Sequence, residues 1–323
     1  WVNQHAYLAR FGGKFWAMWS DGPGVPQAPP EAHRNRVPGH DQAGTRVSYA
    51  VSDDGLAWSE PKDLSGPPRR EGFGWIARGF WIREGQLLAL AAHFNAPDYR
   101  GEGLSLEAFR WNEDRRQWLA HGTVYDDAMN NFPPRQLPGG AWMMSRRDHR
   151  AQVSVMIGGV KSFDDWQVRP LATYGGEQKP EEPYWYVLPD GQRLVGLLRD
   201  NSGSKRLLRT FSSDEGQTWS KLTRTNFPDA TSKFFALPTS HDYYVLVSNS
   251  RPQGRDPLTL AVSRDGLVYT HLFYLVGGRH IDYPHAIEHD GKLLISFSGA
   301  KQTVEVLRVP LTAIDERLAD RTP

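Results

Sequence analysis

Three stretches of the chain repeat one shape: VSDDGLAW at Val51 to Trp58, SSDEGQTW at Ser212 to Trp219 and VSRDGLVY at Val262 to Tyr269. Each follows directly on alternating apolar residues, as in the run Arg46 to Val51. Each therefore reads as a strand ending in a tight Asp/Gly turn whose aromatic folds back onto the sheet. A repeat of this kind fixes the phase of the whole chain, and the phase shows which strand ends face a common centre. The third copy reads as worn, because Arg264 stands where the first has Asp53. Such turns are structural: their Asp bonds local backbone and their aromatic packs between strands.

Ahead of each turn, or of its eroded counterpart, lies a hairpin. Gly or polar turns at Gly12, Gly85, Gly140, Gly191, Ser240 and Gly291 precede FWAMW, LLALAA, AWMMS, RLVGLL, YYVLV and KLLISF. Aromatic closures at Trp58, Trp118, Trp166, Trp219 and Tyr269 interleave with them at a spacing of roughly 50 residues, near that of four-stranded propeller blades. Six units are counted. The sixth, from Tyr283, shows three strands ending at VEVLRVPL and lacks an outer one. Twelve Trp, 31 Gly and 23 Pro fit an all-β chain of hairpins, with one helix expected near Leu311 to Leu318. Residues 1–323 are read as one β-propeller domain, although length alone suggests two. The irregular segment Gly22 to Gly44 is long enough to form a wall of a site.

Composition excludes some partners. Lys and Arg number 38 against 37 Asp and Glu, so no global field steers nucleic acid or an anionic membrane. No run approaches the roughly 20 apolar residues that span a bilayer. The chain opens at Trp1 without a charged and apolar leader, and reads as a soluble, processed chain of secreted or periplasmic location. There is no Cys, hence no disulfide and no thiolate metal site. The histidines show no helical pairing, so no transition metal and no required cofactor are expected, while a structural Ca²⁺ on loop carboxylates and carbonyls stays open. Oligomeric state is unread.

In such a propeller the first strand of each blade lines the channel. Counting seven residues back from the turns reaches His5, Arg78, Tyr184 and Lys233, while Arg135 lies five and His285 six before theirs. The returning strands bring His93 and Arg199, with Arg146 and Arg147 slightly earlier. A nearly neutral chain thereby gathers cations at one mouth, and Trp75, Trp81, Trp185 and Tyr186 are expected to offer faces for a sugar ring. An acidic glycan fits that inventory. Elimination at a uronate needs its carboxylate neutralised, a base for the C5 proton and an acid for the leaving oxygen, tasks suited to Arg, His and Tyr. Two-carboxylate hydrolysis instead needs a facing pair, for which Glu182, Asp200 and Asp282 are the nearest carboxylates. The bland alternatives are an inter-blade ion pair for Arg78 and Arg135, a surface histidine for His5 and a core histidine for His285.

The turns resemble the Asp box of sialidase-like propellers. A sialidase also needs an arginine triad and a Tyr/Glu pair. Arg78, Arg135, Arg199 and Tyr184 imitate that set, but Asn3-Gln4-His5 stands where sialidases place their first arginine motif. A closer resemblance runs through NQHAYLARFGGKFWAMWSDGP, SYAVSDDGLAWSEP, ARGFW, NNFPPR and YPHAIEHDGKLL. These are similar to the propellers that remove terminal L-rhamnose from α-1,4-linked D-glucuronate in arabinogalactans such as gum arabic, described both as rhamnosyl-glucuronate lyases and as α-L-rhamnosidases on seven blades. The resemblance implies a catalytic His5 with Gln4 beside it, and carboxylate-binding Arg78 and Arg135. Tyr184, His93, Arg199, Lys233 and His285 rest on phasing alone. The expected partner is an acidic plant polysaccharide. A lyase is the first expectation, a rhamnosidase the second and a non-catalytic glycan-binding propeller the third.

Overall fold

The computed structural model describes residues 1–23, 41–97, 99–171 and 177–320. Most of the Gly22 to Gly44 segment, residues 24–40, lies outside them. Six antiparallel sheets follow one another along the chain, each built in sequence order from an inner to an outer strand. Blade 1 comprises β1 (Val2–Phe11), β2 (Lys14–Gly22), β3 (Arg46–Ser52) and β4 (Lys62–Asp63). Blade 2 is β5 (Phe73–Arg83), β6 (Gln86–Asn95), β7 (Ser105–Asn112) and β8 (Gln117–Asp126). Blade 3 is β9 (Arg135–Gln136), β10 (Trp142–Arg147), β11 (Val153–Gly158) and β12 (Gln167–Pro170). Blade 4 is β13 (Pro180–Val187), β14 (Leu194–Asp200), β15 (Arg206–Ser212) and β16 (Thr223–Pro228). Blade 5 is β17 (Phe235–Pro238), β18 (Tyr244–Ser248), β19 (Leu258–Ser263) and β20 (His271–Val276). Blade 6 is β21 (Ile281–His289), β22 (Lys292–Gly299) and β23 (Thr303–Pro310), followed by α1 (Leu311–Ala319).

The ring has six blades, not the seven that the resemblance implied, and among the described residues the sixth keeps three strands. All six hairpin turns fall where the Gly and polar signals place them. The first strands lie side by side around the axis, β1 between β5 and β21, and β17 between β13 and β21. Apolar side chains fill the interfaces: Trp81, Met144, Met156 and Trp166 between blades 2 and 3, and Met143, Ile157, Trp185 and Leu208 between blades 3 and 4. Trp75, Trp81, Trp185 and Tyr186 are all core residues, at most 5% exposed. Their faces are spent on packing, and none is open to a sugar.

The three repeated turns act as rivets between blades. In the first, Asp54 Oδ1 accepts the amides of Leu56 and Ala57 at 2.9 Å while Ser52 Oγ takes that of Gly55. Asp214 and Ser212 do the same in the second. In the third, Asp265 Oδ1 accepts Leu267 and Val268 at 2.8 Å. The third copy is therefore intact: the working carboxylate stands two residues after the Ser, and Arg264 occupies the neighbouring exposed position. Each box glycine sits against the preceding blade. Gly55 lies on Leu294, Gly216 on Met143 and Gly266 on Tyr186 and Leu188, all at positive φ.

Among the described residues, ring closure uses no shared strand. Blades 1 and 6 pack through Ala6, Leu8, Phe15, Trp19 and Leu294, and are also joined by the Asn3 amide bonding Lys301 O at 2.8 Å, Ser298 Oγ bonding Asn3 O, and the Leu8 amide donating to His285 Nδ1 at 3.2 Å.

Candidate functional site

Three inner strands break register at equivalent points. Pairing skips between Gln4 and Tyr7 in β1, between Glu181 and Tyr184 in β13, and between Asp282 and His285 in β21. The residue at each break is left-handed: His5 at φ 56°, Glu182 at φ 49° and Tyr283 at φ 55°, with Thr231 at φ 58° ahead of β17. Pro183 and Pro284 follow two of them, lacking an N–H at a point where the ladder leaves one unpaired. Blade 2 shifts at Arg78, beside Gly79 at φ 99°. Non-glycine residues in this conformation are uncommon and are held there by their surroundings. Here the bulges turn side chains toward one channel mouth.

His5 stacks on Tyr283, ring centroids 4.3 Å apart and 20° between planes. Arg255 and Lys301 each lie 5.6 Å from the Tyr283 ring. Arg255 is anchored by Asp282 and by Thr231 O at 2.9 Å, and Asp282 Oδ2 lies 2.6 Å from His280 Nε2. Glu182 pairs with Arg199 at 2.9 Å. Burial alone would raise the Glu182 carboxyl, but Arg199, Lys233 and Arg255 outweigh it and hold it below the usual range, so it is an anion. For Asp229, 4% exposed, burial wins and lifts the carboxyl to about 6. Gln4 reaches the Tyr99 hydroxyl at 3.5 Å, and burial raises that phenol.

One layer deeper come Tyr7, Tyr184, Lys233 and His285. Tyr7 Oη donates to Asn131 O at 2.9 Å and accepts from Lys233 Nζ at 2.6 Å. The lysine is buried over the Tyr7 and Phe132 rings, 4.4 and 4.6 Å from their centroids. Burial, reinforced by Arg78, depresses its pKa strongly, and burial pushes Tyr7 up to about 12. Arg135 pairs with the Tyr184 hydroxyl. His285 packs on Phe235 at 4.3 Å, and burial, then Lys233 and Arg135, lowers it to about 3.

The structure thus brings Gln4, His5 and Arg199 to the mouth and sets Arg135, Tyr184, Lys233 and His285 behind it, with Arg78 buried between the layers against the Met129 sulfur and Tyr7. Counting from the turns merges these layers because turn lengths differ: Phe11 pairs Lys14 across two residues in blade 1, whereas Val187 pairs Leu194 across six. His93 stands apart in blade 2, its ring stacked on Phe73 at 4.7 Å and its Nε2 accepting the Arg69 amide. Arg146 is tied to Asp127, and Arg147 faces Glu181 at 3.9 Å. Asp200 anchors a turn through the Lys179 and Ser202 amides. Tyr283, Arg255 and Tyr99 escape the sequence reading. For Tyr283 a signal existed, since Glu182-Pro183-Tyr184 and Tyr283-Pro284-His285 share one spacing.

Six blades, three of them carrying Ser/Asp rivet turns, with polar side chains on bulges at one mouth, define an Asp-box β-propeller. The family model described as the BNR repeat-like domain matches residues 35–295, and the chain belongs to that family. No curated protein matches it in sequence. Among solved structures it is similar to a protein of unknown function from Dyadobacter fermentans, at 15% identity over 92% of this chain and 90% of that one, TM-score 0.72. A leech intramolecular trans-sialidase matches at 11% identity over 98% of this chain and 69% of its own, TM-score 0.73. A further sialidase matches at 19% identity, TM-score 0.66; the match covers 96% of this chain but only 31% of that sialidase. At these identities the likeness is one of fold.

Proposed function

We propose that this protein is a glycan-processing enzyme acting at a sugar that bears a carboxylate, and that it cleaves terminal L-rhamnose-α-1,4-D-glucuronate linkages of an arabinogalactan by β-elimination. The observation that carries the reading is the stacked His5–Tyr283 pair in a mouth furnished with Arg199, Arg255 and Lys301. The cations offset the uronate charge and so acidify C5. His5 takes the C5 proton, the electron pair forms the C4–C5 double bond, and the C4–O bond breaks as Tyr283 protonates the departing rhamnose oxygen. No cofactor is required by this chemistry. A polymeric plant substrate implies action outside the cytoplasm, in a secreted or periplasmic enzyme.

A second reading is favoured by the ionised Glu182 on the bulge equivalent to that of Tyr283. A carboxylate and a phenol on equivalent bulges of the same mouth support hydrolysis with a tyrosine nucleophile, which makes the protein an α-L-rhamnosidase. Incubation with gum arabic separates the two. Rhamnose release accompanied by the ultraviolet absorbance of an unsaturated uronate supports elimination; release without it overturns elimination in favour of hydrolysis. Saturable binding without any product leaves only a glycan-binding propeller.

A further inference from the structure

The seam where the ring closes holds a second cleft. A cavity of about 470 Å³ opens between Val304 and Val306 of β23 and the Ala17, Trp19 and Ala50 face of β2 and β3. Trp1 and Trp58 flank it, and Trp1 is 69% exposed. Its polar lining comprises Asn3, Asp21, Ser59 and Thr303, with no lysine or arginine side chain.

We propose that this cleft is a second glycan-binding site that takes an uncharged sugar of the same polysaccharide whose acidic end enters the mouth. Tryptophan faces give a pyranose a flat apolar partner at low entropic cost, and a few hydroxyl, amide and carboxylate groups fix its orientation. Asp21 accepts Ser48 Oγ at 2.8 Å and the Trp1 indole N–H, and each carboxylate oxygen keeps a lone pair for a sugar hydroxyl. As the sole charged side chain among the described residues lining the cleft, Asp21 repels a uronate, the opposite of the cationic mouth. Asn3 lies two residues before His5 on β1, so the cleft borders the mouth and one polysaccharide chain can engage both. Joint engagement raises the effective concentration of polymer at the mouth and does nothing for a disaccharide.

The identity of the polymer rests on the glycan reading above, so the test separates the two. Affinity electrophoresis in gels containing carboxyl-reduced gum arabic, whose glucuronates have become glucose, reads the cleft without the mouth's charge partner. Wild type is expected to be retarded, and Trp1→Ala to weaken retardation at least about tenfold. Trp58→Ala gives the same loss, and Trp1, being exposed, covers the case in which that variant fails to fold. In parallel, Trp1→Ala should raise KM on native gum arabic while leaving kcat and KM on the rhamnosyl-glucuronate disaccharide unchanged. An unretarded wild type, or variants retarded as strongly as wild type, overturns the cleft. Failure of disaccharide turnover overturns the mouth and leaves the retardation result standing.

Discussion

His5 is held at φ 56° on a bulge, 5% exposed and stacked on Tyr283. Its backbone costs energy that its chemistry must justify. His5→Ala should lower turnover of a rhamnosyl-glucuronate substrate by at least about 100-fold if the imidazole transfers a proton. Near-wild-type rates with a folded protein would refute the assignment. His5→Gly should lose the same turnover yet unfold at a higher temperature than His5→Ala, because glycine adopts this conformation freely; equal midpoints would show that no strain resides there. Asp229 makes a separate prediction. Its carboxyl titrates at about 6 in the fold against about 3.9 unfolded, so between those values the native state holds a proton the unfolded state has released. Stability therefore falls as pH rises from about 4 to 6 and stays lower above, by up to roughly 3 kcal/mol. Asp229→Asn should match wild type near pH 4 and exceed it above pH 6 in urea unfolding; parallel curves would exclude the effect.

At the level of elements, the box glycines test whether the turns are rivets. A Cβ on Gly216 would sit 2.6 Å from the Met143 sulfur of blade 3 at φ +83°, whereas one on Gly191 at φ +72° meets nothing within 4 Å. Both substitutions to Ala incur the left-handed cost of about 1–2 kcal/mol, and Gly216→Ala should lose roughly 1–3 kcal/mol more through overpacking. Equal losses in denaturant unfolding would mean that the box does not clamp its neighbour. The same elements show how far the sequence could be read. Hairpins, turns, the helix after Pro310 and the six units follow from period and turn chemistry, which act locally. The candidate site is half legible: His5 and Arg199 emerge from phase, but the layer boundary does not, because one bulge or a longer turn moves a side chain inward without changing local pattern. Trp75, Trp81, Trp185 and Tyr186 were misplaced for a related reason, since an aromatic beside a channel strand packs between blades as readily as it lines the mouth. Arg255 stands in a loop outside any period, and only the fold brings it to Tyr283.

For the whole molecule, the seam between blades 1 and 6 is where closure and proton binding meet. Among the described residues no strand is shared between blades 1 and 6; closure rests on apolar packing of Ala6, Leu8 and Phe15 against Leu294 and on hydrogen bonds, one of which requires a neutral histidine. Nδ1 of His285 accepts the Leu8 amide across the seam, an acceptor role that protonation abolishes. Burial, with Lys233 and Arg135 nearby, holds this ring at about 3 against about 6.5 unfolded. A depressed native value means the stabilisation is present above the unfolded pKa and is lost as pH falls toward the folded one, here from about 6.5 down to 3. The loss is on the order of 3–5 kcal/mol across that window. Most carboxylates titrate below its upper half, and Asp229 contributes there with the opposite sign. Comparing wild type with His285→Gln, whose side-chain oxygen can accept the amide but cannot charge, isolates the seam. Between pH 6.5 and 4.5 the urea-unfolding free energy of wild type should fall relative to the variant, and amide exchange at Leu8 should quicken in wild type alone. If the difference between the two proteins is constant with pH, His285 is not the closure's proton-sensitive latch.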